Sequence, residues 1–269
     1  MKLHFCTPRS ELRPYIEKLW IFETDFALHA SHSLVAPNGK HKIIIPYKNA
    51  LITKETRKAD ICQENDICLI GIREVPVNIS TPAGSSGSIG IELTLSGMYK
   101  FVDTPLHHLS NSLFSFCDLF GKQGALLQDK MAHTYAPQQK LALIQDFLLR
   151  QLQQSRLNSP LADYSIQLLH DSNGLLPIKE LQRKTGYSKR YLDMIFNQYL
   201  GLPPKKLAAI IRFQRYFKTL HTASSMTEGS FNLYDLYYDQ SHCIREFKRF
   251  TGQTPSRYSK LDNRFGKNF

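Results

Sequence analysis

The pattern Phe-x4-Gly-x2-Pro occurs twice in the last third of the chain, as Phe196, Gly201, Pro204 and as Phe247, Gly252, Pro255, with the copies 51 residues apart. Each copy closes an amphipathic segment, and each segment follows a shorter helical one: "LPIKELQRKTGYS" before the first, "SFNLYDLYYD" before the second. Short helix, tight turn, amphipathic helix is the helix-turn-helix layout, so the spacing predicts two such units. The stretch "PKKLAAIIRFQRYFKTL" joins them; as a helix of about 17 residues rising 1.5 Å each it spans about 25 Å.

Within each unit the second helix has one apolar face, formed by Leu192, Ile195 and Phe196 in the first and by Cys243, Ile244 and Phe247 in the second. Ser188 and Asp239 stand where N-caps belong, because a short side-chain oxygen there satisfies the free N–H groups of the first turn. The face left to solvent carries Lys189, Arg190, Asp193, Met194 and Asn197 in the first helix. In the second it carries Gln240, Ser241, His242 and Arg245, followed by Lys248 and Arg249. Gln and Arg make paired, directed hydrogen bonds to base edges, and Lys and Arg neutralise phosphates. The polar head of each helix therefore suits bases, the basic tail suits backbone, and Gly-x-x-Pro ends the helix.

Charge agrees with that division. Residues 1–165 hold 17 Lys/Arg against 15 Asp/Glu, whereas residues 166–269 hold 17 against 8, so nearly all of the net +11 lies in the last third. A basic segment on a near-neutral body points to a polyanion partner.

Residues 164 to about 260 resemble the DNA-binding domain of AraC/XylS-family transcription regulators. "DQSHCIREFKRFTGQTPSRY" is similar to the second-unit signature of that family, and "GYSKRYLDMIFNQYLGLPPK…RFQR" to the first. The resemblance implies two recognition helices in successive major grooves on one face of the duplex, about 34–36 Å apart. It assigns base readout to Arg190, Asp193 and Met194 in one unit and to Gln240, Ser241, His242 and Arg245 in the other. The sequence departs from the family pattern at Gln182 and Asn232, where a small residue is usual, at Leu236, where the turn glycine stands, and at Cys243, where a large apolar residue stands. A rebuilt turn with ordinary dihedrals around Leu236 is the expected response. Asp193 repels phosphate and Met194 has no strong donor, so modest sequence specificity is expected.

The first part of the chain has a different period. "LWIFETDF", "HKIIIPY", "ALITKE", "DICLIGI" and "SIGIELTL" are short, rich in Ile, Leu and aromatics, and bounded by turn residues, which is the spacing of a small barrel or sandwich. Helices follow: "SLFSFCDLFG", "GALLQDKM" and then "PQQKLALIQDFLLRQLQQ", with Leu141, Ile144, Leu148 and Leu152 on one stripe. The stripe suits either packing within its own domain or a dimer interface. "PYIEKLWIFE…APNGKHKIIIPY…IGIELTLSGMYKF" is similar to the sensory domains found ahead of many AraC-type regulators, and such a resemblance implies a cupin-like barrel that binds a small molecule or mediates dimerisation, with no ligand residues assigned.

The fold class expected is α+β: a β-rich sensory or dimerisation domain over 1–155 with helices at its end, a linker over 156–163, and an all-α tandem helix-turn-helix domain over 164–269. The function expected is a sequence-specific, DNA-binding transcription regulator controlled by a small-molecule effector. The alternative is a metal-binding or enzymatic barrel carrying a DNA-targeting domain. Double-stranded DNA is the main partner. A homodimer, and RNA polymerase for an activator, are further ones.

Several signals are weighed and set aside. His29, His32 and His41 match no metal-ligand spacing and read as surface or loop residues. His107 and His108 are adjacent and would point to opposite sides of an extended segment. The five cysteines are odd in number with no C-x-x-C pair and read as reduced thiols; Cys62 and Cys117 have no tied base to make a nucleophile. A Pro-Cys-His-Arg alkyl-transfer signature is absent, and "TPAGSSGSIG" lacks the Lys-Ser/Thr of a phosphate loop. No catalytic, metal or cofactor residue is therefore assigned. No apolar run reaches the roughly 20 residues of a membrane span. The N-terminus lacks a signal-peptide core, so the chain reads as cytoplasmic.

Overall fold

The chain, seen in a computed structural model, is described over residues 1–54, 59–82, 84–222, 239–261, 263 and 265–266. Asn232, Leu236 and the segment "SFNLYDLYYD" up to Tyr238 lie outside the described residues, and with them the turn of the second unit.

Among the described residues ten strands form two sheets: β1 (Lys2–Phe5), β2 (Ile16–Thr24), β3 (Leu34–Val35), β4 (Lys42–Lys48), β5 (Leu51–Lys54), β6 (Ala59–Cys62), β7 (Cys68–Ile70), β8 (Val77–Ser80), β9 (Ser86–Leu93) and β10 (Leu113–Ser115). One sheet runs β1-β2-β9-β4-β7-β10 and the other β3-β8-β5-β6, with antiparallel pairing throughout. The larger sheet is covered on both faces, and alternation sorts its side chains. Leu19, Ile21, Ile43, Ile45, Ile89 and Ile91 face the helices that follow, while Trp20, Phe22, Ile44 and Cys68 face the smaller sheet with its Leu51, Cys62 and Val77. Trp20 sits opposite Gly90 in the β2–β9 register, and a Cβ at Gly90 would lie 2.0 Å from the indole. A glycine is needed there because the ring lies on the strand backbone.

The helices are α1 (Phe116–Ala132), α2 (Pro137–Gln154), α3 (Pro160–Asp171), α4 (Ile178–Thr185), α5 (Lys189–Tyr199), α6 (Pro204–Thr222), α7 (Gln240–Thr251) and α8 (Pro255–Tyr258). The two short helices expected around Gly121 run on from each other in α1, broken where Gly121 takes φ 52° and ψ −130°, but the first begins only at Phe116, because Leu113–Ser115, read as its start, pair with β7 as β10. The stripe on α2 is core: Ile144 and Leu148 are fully buried against the large sheet, beside Phe116 and Phe147. Its apolar face is thus used within the chain and is not free for a dimer. Helices α3 to α8 share a second core built on Phe196, Phe213, Phe217, Phe247, Phe250 and Tyr258.

Three sequence expectations need correction. Cys62 and Cys68 form a disulfide, while Cys6, Cys117 and Cys243 are free. No spacing motif marks that pair, because β6 and β7 belong to different sheets and meet only when the sheets pack. His41 is not a surface residue: it is wholly buried just before β4, while His29 and His32 are exposed. His107 and His108 lie in a 3-10 turn, Leu106–His108, so their rings lie together, 4.0 Å apart.

The barrel and the helical part interlock. Gln214 Nε2 donates to the Pro37 carbonyl at 2.7 Å, Ser110 Oγ donates to the Gly201 carbonyl at 2.5 Å, and Lys206 pairs with Glu74 at 2.7 Å. The two repeat glycines consequently differ. Both take positive φ, Gly201 at 100° and Gly252 at 73°, but a Cβ at Gly201 would lie 2.8 Å from the Leu106 carbonyl oxygen, whereas one at Gly252 meets nothing within 4 Å. Gly252→Ala is expected to cost about 1–2 kcal/mol of backbone strain alone. Gly201→Ala should cost clearly more in urea unfolding. Equal losses would show that the contact with the barrel adds nothing.

Candidate nucleic-acid interface

The first unit is assembled from α4 and α5. Helix α4 ends at Gly186 in the left-handed conformation, φ 76°, which turns the chain sharply into α5. Ser188 caps α5, its side chain accepting from the Tyr191 N–H at 3.3 Å. Gln182, the residue where the family pattern is small, also holds this turn: its Oε1 accepts from the Lys189 N–H at 3.1 Å. Leu192, Ile195 and Phe196 are buried, which fixes the opposite face of α5 toward solvent.

On that face Lys189, Arg190 and Met194 are exposed, with Asp193 and Asn197 partly so. Lys189 Nζ and Asp193 are paired at 3.1 Å, so the aspartate is neutralised locally and its repulsion of phosphate is reduced. Arg190 has no ion pair among the described residues and projects from the first turn. Sequence reasoning missed two residues here. Tyr187 and Tyr191 stack with centroids 4.9 Å apart and are both exposed. With Met194 they form an apolar strip beside Arg190. Their i, i+4 spacing was the available signal.

The second unit is described from Asp239 onward. Asp239 caps α7, accepting from the His242 N–H at 2.6 Å. Cys243 and Phe247 are buried and Ile244 is partly buried; burial pushes the Cys243 thiol up to about 11, so it stays protonated and inert. Gln240, Ser241 and Arg245 are exposed on the first turns, and Arg245 Nε reaches the Ser241 carbonyl at 3.3 Å. His242 leans toward Glu246, 3.8 Å away, and Glu246 also meets Arg212 of α6 at 3.3 Å. Lys248 is exposed. Arg249 is different: its guanidinium faces Glu74 of the barrel at 3.7 Å, the same carboxylate that holds Lys206.

The polar heads of both helices thus stand out on helices whose other faces are locked in one core, with α6 between them. Residues 181–261 match the family described as a helix-turn-helix domain. The C-terminal third is an AraC-type helix-turn-helix domain. This AraC-type domain is the DNA-binding part of a transcription regulator. Residues 4–115 match a domain of unknown function (DUF6597). No curated protein sequence matches the chain. Similar solved structures include ToxT from Vibrio cholerae, at 11% identity over 90% of this chain and 98% of that one with a TM-score of 0.49. Unsaturated fatty acid bound ToxT from V. cholerae strain SCE256 follows at 12% identity, 95% and 97% coverage and a TM-score of 0.46. The AraC-like transcriptional activator CuxR shows 14% identity over 82% and 86%, with a TM-score of 0.29. Likeness at this level carries no argument about function.

A second candidate region lies between the two sheets, beside the AraC-type domain. A cavity of about 70 Å³ is lined by Trp20, Ile44, Leu51, Ile70 and Val77, with Lys40, Lys42 and Arg73 also on its wall. Lys40 and Lys42 both pair with the buried Glu92, and Arg73 pairs with Asp60 at 3.5 Å. Among the described residues no group of three or more His, Cys, Asp or Glu is placed to hold a metal ion, and no helix is long and apolar enough to cross a membrane.

Proposed function

We propose that the chain is a regulator whose AraC-type domain, over 164–269, reads specific DNA sequence through α5 and α7, and whose β-rich domain, over 1–155, takes a small-molecule effector. What supports this reading is the pair of capped helices, each with one apolar face in a shared core and a polar head left in solvent. Arg190 and Arg245 are the base readers, with Gln240, Ser241, His242 and Asn197 beside them. Met194, next to the two tyrosines, offers apolar contact of the kind that suits a thymine methyl group. Lys189 and Lys248 serve the backbone. In this reading the partners are duplex DNA in its major groove, the effector, a second copy of the chain and, for an activator, RNA polymerase.

The test uses a duplex selected from a random pool by the full-length chain. Arg190→Ala and Arg245→Ala should each weaken the selected duplex by about 1–3 kcal/mol more than random duplex. Lys248→Ala should weaken both alike. Arg249→Ala should do less, because Glu74 already holds that guanidinium. Equal losses on both duplexes for the two arginine variants would remove the base-reading role.

A further inference from the structure

The cavity between the sheets is lined in part by a residue from the far end of the chain. Phe265, beyond the last helix of the AraC-type domain, lines the cavity and packs edge-on against Phe22, with centroids 5.2 Å apart and planes at 89°. Its neighbours hold it there. Asn263, buried, donates through Nδ2 to the Leu34 carbonyl of β3 at 2.8 Å and to Tyr258 Oη at 2.9 Å, and its Oδ1 accepts from the Gly266 N–H at 3.1 Å. Tyr258 in turn packs on Phe247 of α7, with centroids 5.7 Å apart. One short tail therefore joins the wall of the barrel cavity to the helix that carries Gln240 and Arg245.

The chemistry of the seat defines what could replace the tail. Its walls are apolar and aromatic, and Phe265 itself shows that a phenyl ring fits edge-on to Phe22. The cations on the wall already face acids: Lys40 meets Glu17 and Glu92, Lys42 meets Glu92, and Arg73 meets Asp60. They leave no unmatched charge that calls for an anion. With the tail seated, 70 Å³ remain. An apolar cavity of about 150 Å³ is enough for benzene, so a ring-sized ligand needs the space that the Phe265 side chain fills.

We propose that the barrel cavity binds an uncharged, single-ring aromatic molecule, and that this molecule competes with Phe265 for the seat against Phe22. The proposal rests on the regulator reading above and supplies its effector class and its route of control. A bound ring expels Phe265, the Asn263 contact with Leu34 is lost, and the AraC-type domain is released from one of its ties to the barrel.

Trp20, the chain's single tryptophan, lies in the cavity wall and reports on it directly. The probe is 4-bromobenzyl alcohol, whose bromine quenches indole emission on contact, added to the full-length chain. Saturable quenching of Trp20 is expected, and in Phe265→Ala the half-saturating concentration should fall by at least about five-fold, because the competing tail no longer occupies the seat. Gly266→Ala is the second variant. A methyl there would lie 1.8 Å from the Leu34 carbonyl oxygen, which unseats the tail and leaves the cavity wall intact, so it should show the same gain. In the unsubstituted chain, saturating probe should also speed hydrogen exchange of the peptide from residue 259 onward. Quenching that never saturates overturns the site, and saturable quenching that is equal in all three proteins overturns the competition. Saturable quenching with unchanged exchange overturns the competition. Retention of duplex DNA is measured on the same preparations, so a chain that holds DNA but fails both readouts loses this inference and keeps the regulator reading.

Discussion

Glu92→Ala is expected to cost the fold about 3–5 kcal/mol, the usual penalty for breaking a sheltered ion cluster from one side. The Glu92 side chain is only 2% exposed. It accepts from Asn38 Nδ2 at 2.6 Å and faces Lys40 and Lys42 at 3.5 and 3.4 Å. Those two lysines are themselves sheltered, at 16% and 12%. Burial works to raise the Glu92 carboxyl, yet Lys42, Lys40 and Lys18 together outweigh it and hold the group below its usual range. Burial lowers Lys42, against the pull of Glu92. Alanine removes the anion, leaving the sheltered Lys42 without its acid and Lys40 with Glu17 alone. Urea unfolding measures the loss. The double variant Glu92→Leu with Lys42→Met should recover much of it, since no unmatched charge then remains at Lys42. A loss below about 1 kcal/mol for Glu92→Ala, the size typical of an exposed pair, would show that water reaches the cluster.

The second large effect is on the acid limb of stability. His41 is fully buried, and both ring nitrogens lack a hydrogen-bond partner among the described residues. Burial penalises the imidazolium and lowers its pKa from 6.5 to about 3. The folded state therefore keeps the ring neutral while the unfolded chain protonates it. The stabilisation is complete above pH 6.5 and is lost as pH falls toward 3, at about 1.4 kcal/mol per pH unit inside that window. At pH 5 the loss is about 2 kcal/mol. Glu92, whose folded pKa is also lowered, adds its own loss only below about pH 4.5, so the upper part of the window belongs to His41. His41→Leu should flatten stability between pH 6.5 and 5. An unchanged slope there would mean that the ring is hydrated or charged in the folded protein.

How much of this was legible in the sequence depends on the range of the interaction. The helix-turn-helix units announce themselves through local chemistry: Ser188 and Asp239 as caps, Gly186 and Gly252 at positive φ, and apolar residues at helical spacing. Strands β2, β4, β5, β7 and β9 were legible for the same reason, since alternation and turn residues are local, whereas the short strands β1, β3, β6, β8 and β10 carry too few residues to show a period. What was not legible arises from contacts that only the fold creates. Asn263 and Leu34 are 229 positions apart, and nothing near Phe265 marks it as part of a barrel wall. Glu92 reads as one acid in "SIGIELTL", and only the second covering layer makes it buried. His41 looks like a loop residue beside Asn38 and Gly39 until that loop packs against Leu207 and Ile210 of α6. The Cys62–Cys68 pair needs two sheets to meet. The polar heads of α5 and α7 are exposed or partly exposed, on the faces that the periodicity assigned to solvent. The pairing of Arg249 with Glu74 was hidden because its partner sits in the other part of the chain.

The central claim is that two helices of one domain read one duplex in successive major grooves. Methylation interference at guanine N7, on a duplex selected by the full-length chain at low salt, tests it most directly. Two clusters of interfering guanines are expected, about 10–10.5 base pairs apart on one face, with one cluster lost in Arg190→Ala and the other in Arg245→Ala. A single cluster that both variants leave unchanged, or no duplex retained at low salt, would contradict the claim.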